Sequence, residues 1–347
     1  MNKNVRIAIV GCGVRGADAA SAVSDARGIE LSAVVDASEA AAKTLGEKHR
    51  VAWTTDLTRL LSDPNLDAVY ISSPHHLHAQ QGIEAAKAGK HLVVEKPLAH
   101  DLAAAEELVS VAAMSGVTLV PWLGFRYLPE VDKAARLIDQ GLLGNLLGGM
   151  MTHHLSKPPS YFFRGGEPTW QARRATAGGG VLITQAIHYL DWLLYLGRER
   201  VTQVSARYET LDADTEVEDT VVLWIRFANG ALATLNASTC VPGLYRSDQV
   251  LNEFRIWGSD GHLSLTRPFQ FFSSRLVEGK HPERWHDLAP LPRMRAPGIE
   301  LLERFALGLR TGKPQEITPT DGLRVQAVID AAYRSSETGV PVTPGLL

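Results

Sequence analysis

The chain has 347 residues, 45% hydrophobic and 21% charged, with a formal net charge of −3. That length fits two domains of about 150 residues each, and the faintly acidic balance argues against nucleic acid as the main partner, because phosphate binding needs a basic face. No apolar run approaches the ~18 residues of a membrane span, and Cys12 and Cys240 are too few for a disulfide framework.

The opening residues, Met1 to Val5, lack the apolar stretch of a signal peptide, so the expected location is cytoplasmic. Strands are expected over 5–10, 31–36, 67–72, 91–95 and 117–121. Helices are expected over 16–26, after the capping Ser38 and over 102–115. Strand and helix alternating through short connections is the pattern of a doubly wound parallel sheet, a Rossmann domain over residues 1–122. Beyond Trp122 the pattern changes. A helix over 131–140 ends at Gly141, and strands follow over 201–210, 220–227, 231–239 and 252–257. Asn229-Gly230 and Ser259-Asp260-Gly261 are tight-turn signals, so consecutive strands pair antiparallel in an α+β domain over 123–347. Helices over 301–310 and 323–335 close the chain and can dock back on the first domain. Residues 156–180, rich in Pro, Gly and Arg, form a long irregular stretch of the kind that lines sites.

Gly11-Cys12-Gly13-Val14-Arg15-Gly16 follows the first strand and opens the first helix. In a dinucleotide turn, the first glycine allows the bend and the second lets a pyrophosphate approach the backbone. The third lets helix and strand pack closely. Asp36 ends the second strand, where a carboxylate accepts from the adenosine ribose hydroxyls. That carboxylate repels a 2′-phosphate, so NAD is the expected cofactor. Ser38 and Lys43 keep NADP open.

Three further stretches carry chemistry. Ser72-Ser73-Pro74-His75-His76-Leu77-His78 follows a sheet strand at its ligand-facing end, which puts Ser73, Pro74, His75 and His78 among the expected cofactor contacts. No Cys or carboxylate set at ligand spacing accompanies these histidines, so no metal is expected. Glu95-Lys96-Pro97 ends another strand, and both Glu95 and Lys96 are expected at the cofactor edge. There an ammonium either polarises a substrate oxygen or snorkels out of the sheet. The third stretch begins at Gly178-Gly179-Gly180 and runs into a helix with Thr184, His188 and Asp191 on one face. Such a polar stripe is either a satisfied buried cluster or a site. The glycines are expected to let backbone approach a ligand. Arg126, Tyr161, Trp170 and Arg173 are expected at the substrate, as donors to hydroxyls and aromatic faces for a sugar ring.

Together these stretches resemble the Gfo/Idh/MocA family of oxidoreductases. Phe125-Arg126-Tyr127, Glu218-Asp219-Thr220, the hairpin over 227–230 and the ending over 335–340 extend the likeness over nearly the whole chain. The resemblance implies an open, mostly antiparallel second sheet, homo-oligomers formed through it, and hydride transfer between nicotinamide and a sugar or cyclitol carbinol. It implies that Lys96 orients the reacting oxygen and that His188 moves the proton, with Thr184 standing where the family often has an acid. Gln185 beside His188 resembles members acting on sugar nucleotides, glycosides or larger carbohydrates. Two alternatives stay open: an NAD-dependent glycosidase using transient oxidation, and a non-catalytic dinucleotide sensor.

Overall fold

In the computed structural model, which describes residues 4–245, 249–276, 285–288 and 295–345, β1 (Val5–Val10) is buried along almost its whole length. That burial is what a central strand covered on both faces requires. After it come α1 (Val14–Asp25), β2 (Ile29–Val35), α2 (Glu39–His49), β3 (Ala52–Thr54), α3 (Leu57–Leu61) and β4 (Ala68–Ile71). Then follow α4 (His75–Lys87), β5 (His91–Val94), α5 (Leu102–Met114) and β6 (Leu119–Pro121). The six strands make one parallel sheet in the order β3-β2-β1-β4-β5-β6. The order reverses between β1 and β4, and the carboxyl ends beside that switch point are where such sheets bind ligands. Ser38 caps α2 by accepting from the Ala41 N–H at 3.3 Å. The sequence reading missed β3 and α3 because both are short and β3 lacks a buried position.

A second set of elements follows. These are α6 (Pro129–Asp139), β7 (Leu146–His154), α7 (Pro159–Phe162), β8 (Phe163–Arg164), β9 (Glu167–Pro168), α8 (Arg174–Ala177) and α9 (Ile187–Gly197). They are followed by β10 (Val201–Glu209), β11 (Thr220–Phe227), β12 (Leu232–Ser238), β13 (Leu251–Gly258), β14 (Gly261–Ser264), β15 (Gln270–Ser273) and β16 (His286–Asp287). The chain closes with α10 (Pro297–Thr311) and α11 (Pro319–Thr338). Eight strands pair in the order β10-β11-β12-β7-β13-β14-β15-β16. The sheet is antiparallel except for β12 and β7, which run parallel. In β11, Val221, Leu223, Ile225 and Phe227 are buried while Val222, Trp224 and Arg226 are exposed. Each inward side chain contributes roughly 1.5–3 kcal/mol by leaving water. Central strand β7 escaped the sequence reading. Its Leu-Leu-Gly-Gly-Met-Met core carries no β-branched residue, and its glycines are demanded by neighbours: a Cβ on Gly148 would lie 2.5 Å from the Trp257 ring.

The chain divides into two compact units, one of Met1–Gly124 with Arg295–Leu323 and one of Phe125–Met294 with Arg324–Leu347. Helix α10 therefore belongs to the first unit. Helix α11 begins in the first and continues in the second.

Candidate functional site

In the first unit, the turn after β1 explains its glycines. Gly11 has φ +94°, and a Cβ there would lie 2.6 Å from the Ser73 backbone nitrogen. A Cβ on Gly16 would lie 1.9 Å from the Gly11 carbonyl oxygen. Both positions let the ends of β1 and β4 close on the start of α1. Gly13 differs: a Cβ there would meet nothing within 4 Å, and no side chain caps α1. An open turn leading into an uncapped helix N-terminus fits a pyrophosphate, so the residues present suit a dinucleotide. Val14 and Arg15 are exposed on the first turn of α1, Arg15 pairing with Asp18 at 3.1 Å.

Asp36 follows β2 and is held by both oxygens. Oδ2 accepts from the Cys12 N–H at 2.7 Å and Oδ1 from the Ser38 N–H at 2.8 Å. The acid thus fastens the glycine turn at the carboxyl end of β2. Burial, then the charge of Asp36, pushes the Cys12 thiol up to about 12. Cys12 is a protonated packing group and no nucleophile.

At the end of β4 the Ser72 hydroxyl donates to the Gly11 carbonyl at 2.9 Å, and the Ser73 hydroxyl to Gln81 at 2.6 Å. Pro74 precedes α4, whose first residue, His75, is buried. His78 turns inward. Its Nδ1 lies 2.8 Å from the Pro97 carbonyl and its Nε2 2.7 Å from the Ser73 carbonyl. The ring lies between the loop after β4 and the loop after β5, where a neutral imidazole donates to one of the two carbonyls. Burial outweighs the two carbonyls and lowers His78 to about 4. Glu95 also turns inward, accepting from the Tyr70 hydroxyl at 2.8 Å and the Lys96 N–H at 3.3 Å. Burial pushes its carboxyl up, and the Lys96 ammonium is the largest influence opposing it. Glu95 is thus a buried support for the strand end. The Lys96 side chain is half-buried just beyond it. Among the described residues, no group of three or more His, Cys, Asp or Glu is arranged to hold a metal ion.

In the second unit, the expected single helix after the glycines is two pieces: a π-helical turn, Leu182–Ala186, feeding α9. The extra residue of a π turn shifts Thr184 and Gln185 out of the simple i, i+4 register with His188, a local winding often found at functional sites. The Thr184 hydroxyl donates to the Gly180 carbonyl at 2.6 Å. Asp191 is gripped by Arg126, with Nη2 2.6 Å from Oδ1 and Nε 3.0 Å from Oδ2, and both residues are buried. Arg126 also lies over the Tyr195 ring at 4.5 Å. His188 is half-buried with its ring on Phe125, centroids 4.3 Å apart.

The glycines before this helix serve packing, contrary to the ligand-approach expectation. A Cβ on Gly180 would lie 1.8 Å from the Glu218 carbonyl oxygen, and one on Gly179 2.0 Å from the Tyr333 hydroxyl. Phe162, Ala172 and Ala177 of the stretch over 156–180 form a small core with Val217, and Tyr161 and Trp170 pack against it. Lys157 sits over the Tyr161 ring at 4.7 Å. Arg173 is exposed. Its neighbour Arg174, which the sequence reading passed over, binds Glu337 at 2.7 Å and the Tyr208 hydroxyl at 3.0 Å.

Comparison with known proteins gives concordant results. Residues 5–122 match the family model described as oxidoreductase family, NAD-binding Rossmann fold, and residues 131–264 match the GFO/IDH/MocA C-terminal domain. An uncharacterized oxidoreductase of Bacillus subtilis is 29% identical, covering 99% of this chain and 97% of that protein. The scyllo-inositol 2-dehydrogenase (NAD(+)) of the same organism is 27% identical, covering 99% and 97%. Among solved structures, levoglucosan dehydrogenase in complex with NADH and levoglucosan shares the fold with a TM-score of 0.87 at 23% identity, covering 99% of this chain and 100% of that one.

Proposed function

The chain belongs to the GFO/IDH/MocA family of NAD-binding oxidoreductases, and from that premise we propose that it moves a hydride between nicotinamide and a ring carbinol or ketone of a sugar, glycoside, sugar nucleotide or cyclitol. The observation that carries the reading is the open Gly13 turn beside an anchored Asp36 at the switch point of the parallel sheet. NAD is preferred because Asp36 accepts from ribose hydroxyls and repels a 2′-phosphate. Relatives named for scyllo-inositol and levoglucosan oxidation support a cyclic polyol as the substrate.

A nicotinamide, when bound, would supply the hydride acceptor in oxidation. Gly11 to Gly16 and Asp36 hold the dinucleotide, with Ser73, Pro74 and His75 lining its edge. Lys96 orients the reacting oxygen and steadies its developing charge. His188 takes the carbinol proton in oxidation and returns it in reduction, since an imidazole titrates near working pH. Tyr161, Trp170, Arg173 and Gln185 contact the remaining ring, Thr184 fixes the helix locally, and His78, Glu95 and Arg126 belong to the scaffold. The outward face of the second sheet presents Val222, Trp224 and Leu232, which supports a homo-oligomer formed through that face. The setting is cytoplasmic. Incubating the protein with NAD and a panel of inositols, pyranoses and anhydro-sugars, and following NADH absorbance, tests the proposal. Turnover confined to acyclic or apolar alcohols would refute it.

A further inference from the structure

We propose that Glu218 is a positioning residue for the proton-transferring helix: it fixes the π turn that sets Thr184 and Gln185 relative to His188. The inference rests on the reading of His188 as the acid–base group. Three consecutive N–H groups at the helix start end on this one residue. Gly180 donates to Oε2 at 2.7 Å, Val181 to the Glu218 backbone carbonyl at 2.9 Å, and Leu182 to Oε1 at 3.0 Å. The Tyr333 hydroxyl completes the set, donating to Oε1 at 2.9 Å. Glu218 is buried.

The first N–H groups of a helix have no partners inside it, and a negative charge at that end is favoured by the aligned peptide dipoles. Here the partner comes from a residue 38 and 36 positions away in sequence, not from a local cap. Burial pushes the Glu218 carboxyl up, and the Gly180, Leu182 and Tyr333 donors pull it back. Next comes the wide turn Leu182–Ala186, and beyond it Arg126 fastens Asp191. The helix is therefore held in front by Glu218 and behind by Arg126, with the π turn between the two fastenings. If the front fastening is lost, the turn can relax to α-helical winding. One residue of register then corresponds to about 100° of rotation between the segment of Thr184 and the segment of His188.

Glu218→Gln tests this. The amide keeps one acceptor oxygen but points N–H groups where Gly180 or Leu182 must donate. NAD affinity, a property of the other unit, should stay unchanged, while kcat falls about 10-fold or more. The deciding comparison is a double-mutant cycle with His188→Asn. If Glu218 acts through His188, Glu218→Gln costs no further activity in the His188→Asn background. The milder Tyr333→Phe, which removes one donor and keeps the carboxylate, should show the same non-additivity with a loss of about threefold. It serves if Glu218→Gln does not fold. An equal loss of activity in both backgrounds would overturn the proposal. If His188→Asn alone turned over normally with an unchanged pH profile, the reading of His188 would fail first and take the positioning role with it.

Discussion

Arg126 and Asp191 form a fork-to-carboxylate pair inside the second unit, 65 residues apart in sequence and both almost wholly withdrawn from solvent. Arg126 lies next to Phe125, whose ring stacks on His188, so two consecutive residues of one short turn brace the same helix. Bidentate geometry of this kind is the strongest form of charge-assisted hydrogen bond.

Arg126→Ala would leave the Asp191 carboxylate buried without its counter-ion. Breaking a buried pair from one side typically costs about 3–5 kcal/mol, so a clear fall in Tm is expected in a thermal melt. Arg173→Ala, at an exposed position, should leave Tm unchanged and raise KM for the polyol. An Arg126→Ala protein as stable as the wild type would return Arg126 to the substrate.

Asp36 should make NAD bind at least about 10-fold more tightly than NADP, as expected where a carboxylate meets a 2′-hydroxyl in one case and a 2′-phosphate in the other. Because it also accepts from the Cys12 and Ser38 N–H groups, Asp36→Ala should weaken NAD and narrow the preference together. Isothermal titration with both cofactors checks this, and equal wild-type affinities would contradict it.

Lys96→Ala should retain NAD affinity and lose turnover by about 10²-fold or more, the scale of a lost group at the reacting atoms. Equilibrium binding and initial rates on one preparation separate the two effects. Near-normal turnover would show that Lys96 only carries its charge out of the sheet.

His78 gives a pH dependence whose sign follows from its burial. Folded, its ring is lowered from 6.5 to about 4. Between those values the unfolded chain binds a proton that the folded chain refuses, so stability falls as pH drops through that window. His78→Gln cannot take up that proton, so its unfolding midpoint should fall less than the wild type's between neutral pH and about pH 5. Parallel losses in both proteins would mean that the histidine is not the group responsible.

Local chemistry made the first unit legible. Gly11, Gly13, Gly16 and Asp36 lie within one strand–helix–strand unit, and each has a role fixed by short-range geometry. The second unit was harder because its decisive partners are distant in sequence. Gly179 and Gly180 read as a place where backbone approaches a ligand, and their packing against Tyr333 and Glu218 has no sign in the sequence. Arg126 and Glu95 stand in the sequence as isolated charges, which give no sign of their buried partners, here Asp191 and Tyr70. The π turn is invisible to periodicity, since one inserted residue leaves the apolar pattern of α9 intact. Glu218 was visible as part of a motif, but nothing local linked it to the helix it holds.

The most direct test of the account is label transfer. A cyclitol or anhydro-sugar deuterated at its ring carbons is supplied with NAD, and the cofactor is then recovered and analysed by mass spectrometry. The account predicts dihydronicotinamide carrying one deuterium from a ring carbon, in amounts equal to the ketone formed, with the yield collapsing in His188→Asn. Ketone formed while the recovered cofactor carries no label would contradict it.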